Sequence, residues 1–279
     1  MALGINTNIA SLTAQNQLSK SQNMSNQAME RLASGLRINS AKDDAAGLAI
    51  STRFETQIRG LNQAVRNSGD GISMVQTAEG GMDQTVENLQ RIRELAVQAA
   101  NGSLGENDRA LLQKEVDQRI SEISRIATET KFNGISVLNG TSAANTAIQV
   151  GANSGETITI QIGTSMGAGG IGNGTTNVSG VKVTSAASAD SALSVIDGAL
   201  STVNTIRADL GAVQNRFEST ISNLQTNVEN LSASQSRILD ADFAAETAKM
   251  AKANVLQQAG ISVLAQANAR PNQVLSLLQ

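Results

Sequence analysis

FETQIRGLNQAVRNSGDGISMVQTAEGGMDQTVENL, residues 54–89, decides the fold. Phe54, Ile58, Leu61, Val65, Ser68, Ile72, Val75, Glu79, Met82, Val86 and Leu89 fall at alternating steps of four and three. That spacing is a heptad seam, the edge along which one helix packs on another. The stretch extends from Asp44 to about Ala100, and a helix of that span is on the order of 85 Å long. Ordinary helices average about 11–12 residues, so this one reads as a strut in an elongated bundle. Its apolar members, Phe54, Ile58, Leu61, Val65, Ile72, Val75, Met82, Val86 and Leu89, are the candidate assembly seam. Glycines at 60, 69, 71, 80 and 81 run against it. Each costs about 1 kcal/mol relative to alanine in a helix. Burying each of the apolar seam side chains contributes about 1.5–3 kcal/mol. Burial outweighs the glycines, so helix is predicted through all five, which then serve close approach or slight bending.

Upstream, residues 2 to about 38 read as one amphipathic helix with Ile5, Ile9, Leu12, Ala14, Leu18, Ala28, Leu32 and Leu36 along its apolar stripe. Gly35 is a stop signal and Arg37–Lys42 a connector. Asp43 and Asp44 suit a helix N-cap and a first-turn charge. An acid/base carboxylate pair is the lesser reading, because no third catalytic group lies near in sequence.

Downstream, Asn101-Gly102 ends the long helix. Ser103 and Glu106 have capping-box spacing, and a second helix carries Leu112, Val116, Ile120, Ile123 and Ile126 to about Thr130. From Phe132 the period changes. Asn133-Gly134 and Asn139-Gly140 are tight-turn signals. Ala147–Val150 and Thr157–Ile162 alternate around Asn153-Ser154-Gly155 as a hairpin. Residues 163–180 are Gly-, Ser-, Thr- and Asn-rich loop, and Val181 and Val183 suit one more strand.

Helix returns near Asp190. Leu193, Ile196, Leu200, Val203, Ile206, Leu210, Val213, Phe217, Ile221, Leu224, Val228 and Leu231 form a second seam, long enough to run antiparallel to the first. Asp240, Asp242 and Glu246 follow it. They suit a partner's basic residues or solvent better than a cation. Ala244–Ala269 is helical in pattern, and Pro271 is expected to interrupt it. Folded back, the chain is predicted to be a mainly α, elongated rod of long antiparallel coiled-coil-like helices, with a small β-hairpin region at about 131–189 near its tip.

Composition narrows the chemistry. There are four Phe, no Trp or Tyr, no His and no Cys among 279 residues. Without His or Cys there is no Ser–His–Asp triad, no thiolate nucleophile and no His/Cys zinc site. A net charge of −3 leaves no basic footprint for nucleic acid. Gly167, Gly169 and Gly172 match a dinucleotide fingerprint, but no helix pattern follows it directly. Ser179 and Lys182 match S-x-x-K without its companion motifs. No cofactor, metal or enzymatic activity is expected. The charge-free ends, Met1–Ser19 and Ala253–Ala269, are interrupted by Asn and Gln and suit neither a secretory signal nor a membrane span.

Several stretches identify a family. INTNIASLTAQNQLSKSQ (5–22), ERLASGLRINSAKDDAAGLAI (30–50), RNSGDGISMVQTAEGG (66–81), LQRIRELAVQAANG (89–102) and KFNGISVLNG (131–140) resemble the N-terminal region of bacterial flagellin. SRILDADFAAETAKM (236–250) and QANARPNQVLSLLQ (266–279) resemble its C-terminal region. The resemblance covers about 1–140 and 190–279. It implies an inner-tube domain of residues 1–42 with 236–279, a second helical domain over 43–235 and no outer domain. It further implies self-assembly into the flagellar filament for motility, and export by the flagellar type III route without a cleaved signal peptide, to the cell exterior. The implied partners are further copies of the chain, an export chaperone, and the cap and junction proteins. Neither nucleic acid nor membrane is implied. Host innate receptors would contact Arg91, Leu95 and Glu115, and a C-terminal sensor would read Leu275, Leu277 and Leu278. The alternative within the same axial family is a hook–filament junction protein.

Overall fold

The computed structural model describes residues 7–140 and 146–276. Five long helices dominate: α1 (Ile9–Ser34), α2 (Ala45–Ala100), α3 (Glu106–Glu129), α4 (Ala186–Leu239) and α5 (Phe243–Ser276). Two small antiparallel hairpins lie between α3 and α4: β1 (Lys131–Phe132) with β2 (Ile135–Ser136), and β3 (Thr146–Gln149) with β4 (Thr157–Ile160). The fold is therefore mainly α. The chain divides into two units, Met1–Thr56 with Asn230–Gln279, and Gln57–Glu229.

In the first unit α1 and α5 run antiparallel. Asn8, Ser25 and Arg31 on the first element meet Ala267, Asn254 and Glu246 on the second. Asn8 caps α1, its Oδ1 accepting from the Ser11 N–H at 3.1 Å. Gly35 ends the helix in the left-handed region, at φ 73°. The strip after it is held by backbone: Arg37 N–H donates to Leu239 O at 2.6 Å and Ala241 N–H to Gly35 O at 2.9 Å. The two aspartates that follow have separate tasks. Asp44 caps α2, accepting from the Gly47 N–H at 2.8 Å. Asp43 closes the preceding turn, accepting from the Asn39 and Ser40 N–H groups and the Ser40 hydroxyl.

The α1 helix starts at Ile9 behind the Asn8 cap, and the expected stripe is only part of its buried face: Ala14 and Ala28 are buried, Leu18, Leu32 and Leu36 half-buried, and Ile5 lies outside the described residues. Ser11, Ala14, Ser21, Ser25 and Ala28 are buried, whereas Ile9 and Leu12 are exposed. Serines share this face with the alanines, Ile9 and Leu12 are turned out of it, and Leu18 lies against Gly260 of α5. A second correction concerns Pro271, through which α5 continues to Ser276. Proline lacks the N–H that would bond the carbonyl four residues back, here that of Ala267. The Asn8 side-chain amide donates to that carbonyl at 2.8 Å, so the gap in the ladder is filled from α1.

In the second unit α2 and α4 are antiparallel. Gly71 faces Phe217, Asp83 pairs with Arg207 at 2.8 Å, and Arg93 with Asp197 at 2.8 Å. Helix runs unbroken through all five glycines. Closest burial follows Ala64, Ser68, Gly71, Val75, Ala78, Met82, Thr85, Leu89, Ile92, Ala96 and Ala99. That line keeps the four-three steps and shares Ser68, Val75, Met82 and Leu89 with the predicted seam. At the alternate positions it runs one residue earlier, through small side chains. Val65, Ile72, Glu79 and Val86 flank it, half-buried, as do Phe54, Ile58 and Leu61. On α4 the buried positions Ile196, Val203, Leu210, Phe217 and Leu224 recur every seventh residue.

The glycines divide by what lies against them. A Cβ at Gly71 would sit 2.8 Å from the Phe217 ring, and one at Gly81 2.7 Å from Leu138. One at Gly60 would sit 3.0 Å from Ala152, while Gly69 and Gly80 face open space. Close approach therefore explains three of the five.

The smaller elements hold two further corrections. The cap of α3 is Gly105, whose N–H donates to Asp108 Oδ2 at 3.3 Å, not Ser103 with Glu106. Val181 and Val183 are buried but form no strand. The Gln113 side chain of α3 accepts from Val183 N–H at 2.6 Å and faces Val181 O at 3.4 Å, taking the place of a strand partner. The β1–β2 turn is Asn133-Gly134 with φ 48° and 80°, both positive as a two-residue hairpin of this twist requires. The β3–β4 hairpin forms as predicted, Thr146 opposite Ile160 and Gln149 opposite Thr157.

Candidate assembly and recognition surfaces

The first surface belongs to the α1–α5 pair. A helix pair of an ordinary globular domain buries its large apolar side chains and exposes polar ones. Here the buried positions are serines and alanines on α1 and Ala253 and Ala267 on α5, with Leu18 half-buried against Gly260. Ile9 is 72% exposed, Met29 57%, Val255 64%, Ile261 53% and Val263 55%. These exposed apolar side chains are spread along both helices of the pair.

One ion pair fixes this pair of helices. Arg31 Nη1 lies 3.3 Å from Glu246 Oε1, which also accepts from Lys249 Nζ at 2.8 Å. Glu246 is buried, and the Lys249 ammonium, followed by the Arg31 guanidinium, holds its carboxyl below the usual range. The Arg31 Nε is buried without a partner. Asp242 caps α5, accepting from the N–H groups of Ala244 and Ala245. Asp240 accepts from the Ser236 hydroxyl at 2.6 Å, so all three acidic groups considered for a cation are engaged by the fold itself. Among the described residues no cluster of acidic side chains has the makings of a metal site, and no helix is long and apolar enough to cross a membrane.

The second surface is where α3 folds back along α2. Arg91 Nε lies 2.9 Å from Glu115 Oε1 and its Nη1 2.8 Å from Glu94 Oε2. Glu115 first, then Glu94, raises the Arg91 pKa by hydrogen bonding. Two of the three predicted recognition residues are thus joined on one exposed ridge. The third is not on it: Leu95 is 1% exposed, inside the core cluster with Leu89, Ile92 and Val116. Exposed apolar groups nearby in sequence are Val97 and Leu111, which the motif reading did not single out. Leu277 and Leu278, and the side chain of Leu275, lie outside the described residues.

Residues 5–143 match the family model of the bacterial flagellin N-terminal helical region, and residues 193–278 that of the C-terminal helical region. A flagellin of Xenorhabdus nematophila is 48% identical over 320 aligned residues, covering 100% of both chains. A flagellin of Halalkalibacterium halodurans is 46% identical over 275, covering 99% of each. A putative flagellar hook-associated protein from Vibrio parahaemolyticus shares the fold, with a TM-score of 0.57 at 17% identity over 71% of this chain and 100% of that one. Nothing in these likenesses favours a junction protein over a filament protein. Matched along both helical regions and end to end with full-length relatives, the chain belongs to the bacterial flagellins, structural subunits of the flagellar filament.

Proposed function

We propose that the α1–α5 pair makes the innermost contacts of the filament, as an inner-tube domain of residues 1–42 with 236–279. Residues 43–235 then form the shell around it. The observation that carries this reading is how many large apolar side chains the pair leaves outside: Ile9, Met29, Val255, Ile261 and Val263. Contacts between different faces of identical subunits repeat without closing, which generates a helical filament. Covering the exposed apolar groups supplies the driving force, about 25 cal/mol per Å² removed from water. The test is Ile9→Asn with Ile261→Asn. The monomer keeps its melting behaviour and loses elongation on filament seeds. Unchanged elongation would remove the α1–α5 face from the filament's interior.

The same reading assigns secretion to the flagellar type III route, with an export chaperone before passage and cap and junction proteins at the filament's ends. It assigns innate-receptor contact to the Arg91–Glu115 ridge, with Leu95 as support beneath it. C-terminal sensing is assigned to Leu275, Leu277 and Leu278. Loss of receptor signalling by Arg91→Ala at unchanged melting temperature is the expected result for the ridge.

A further inference from the structure

The chain holds four Asn–Gly pairs, at 101, 133, 139 and 173. Glycine after asparagine leaves its backbone nitrogen unshielded, so the side-chain amide carbon can be attacked from within the chain. The four sites differ in what surrounds that amide. Asn139 is half-buried, and Gly140 packs on the backbone of Ser165. Asn133 is exposed in its hairpin turn, and its amide oxygen accepts no bond among the described residues. Asn101 Oδ1 accepts one, from the Ser103 N–H at 3.2 Å. Asn173 Oδ1 accepts two, from the Thr175 N–H at 3.1 Å and the Thr176 N–H at 2.9 Å.

The geometry points to Asn173-Gly174 as a self-modifying site at which the folded loop promotes deamidation. Two backbone N–H groups aimed at one carbonyl oxygen are the arrangement that stabilises an oxyanion as it develops. Residues 173–177 are exposed to the water the reaction needs. The Gly174 nitrogen loses its proton and bonds to Asn173 Cγ, placing negative charge on Oδ1 between the two donors. The Cγ–Nδ2 bond breaks, and Nδ2 leaves as ammonia carrying a proton. The five-membered imide is opened by water at either carbonyl, giving aspartate or isoaspartate. Ammonia is lost, water is gained, and nothing is oxidised or reduced. The product adds one negative charge, and isoaspartate adds a methylene to the backbone. Asn173 rests against Gly198 of α4, where a Cβ would come 2.7 Å from the Asn173 Cα. The isoaspartate form therefore lifts this loop from α4, a built-in mark of subunit age.

The test uses the full chain at mildly alkaline pH, native and in concentrated urea, with each site followed by peptide mass spectrometry and isoaspartyl methyltransferase labelling. Asn173 is expected to convert fastest of the four in the native chain, about tenfold faster than in urea, while the four rates converge on unfolding. Thr175→Pro removes one donor and slows Asn173 alone. A native Asn173 rate equal to or below its rate in urea would overturn the inference, because the two hydrogen bonds would then only restrain the side chain.

Discussion

Asn8 completes a helix to which it does not belong: its side-chain amide donates to Ala267 O at 2.8 Å, the carbonyl that Pro271 cannot serve. The same side chain caps α1 through its oxygen. One residue thus tends the start of the first described helix and a gap near the end of the last, and so sets their register. Asn8→Asp keeps the cap acceptor and loses the donor. It is expected to cost about 1 kcal/mol of α1–α5 pairing, read by amide exchange in α5. Pro271→Ala restores the missing N–H, so in that background the cost of Asn8→Asp falls toward zero. Equal costs in both backgrounds would deny the link.

The glycines of α2 give opposite signs. Gly71→Ala drives a methyl into Phe217 and is expected to destabilise by about 1–3 kcal/mol. Gly69→Ala and Gly80→Ala meet nothing and are expected to stabilise by up to about 1 kcal/mol. Urea unfolding of the monomer measures all three. Phe217→Leu should recover part of the Gly71→Ala loss.

Acid should loosen the terminal pair through Glu246. Its folded pKa lies below the ordinary 4.5, so the unfolded chain binds the proton more readily. The stabilisation is full above that ordinary value and is lost as pH falls through the lowered one. Glu246→Gln is therefore less stable at neutral pH and loses less on acidification. Melting temperature from pH 7 downward distinguishes the two chains, and parallel curves would exclude Glu246 as the titrating group.

Arg91 and Leu95 separate surface from core. The Arg91–Glu115 pair is exposed, and such pairs contribute about 0–1 kcal/mol, so Arg91→Ala should leave the melt nearly unchanged. Leu95→Ala empties a buried site and should cost about 2–5 kcal/mol. A Leu95→Ala chain that signals poorly but also melts early would be defective through packing.

The long helices and the β3–β4 hairpin were legible because periodicity reports burial over many residues. The seam was legible only to within one residue. Ile72, Glu79 and Val86 occupy the positions that spacing selects, but the deepest burial falls on Gly71, Ala78 and Thr85 beside them. Hydropathy is blind to such positions, since a small residue is valued there for the room it leaves. The face of α1 was legible only in part for the same reason: Ala14 and Ala28 are buried as their spacing predicts, but Ser21 and Ser25 are buried too while Ile9 and Leu12 are not. Pro271 and Val181–Val183 went astray because remote side chains, Asn8 and Gln113, supply hydrogen bonds that local sequence does not contain. Leu95 shows a limit of motif reading, which gives a position but not its depth.

The central claim is that the paired terminal helices drive assembly. Electron microscopy of filament seeds incubated with purified monomer tests it, comparing the full chain with chains lacking residues 1–34 or 243–279. Seeds are predicted to elongate with the full chain and with neither truncation. Elongation by a truncated chain at the full-length rate, or none by the full chain, would contradict the account.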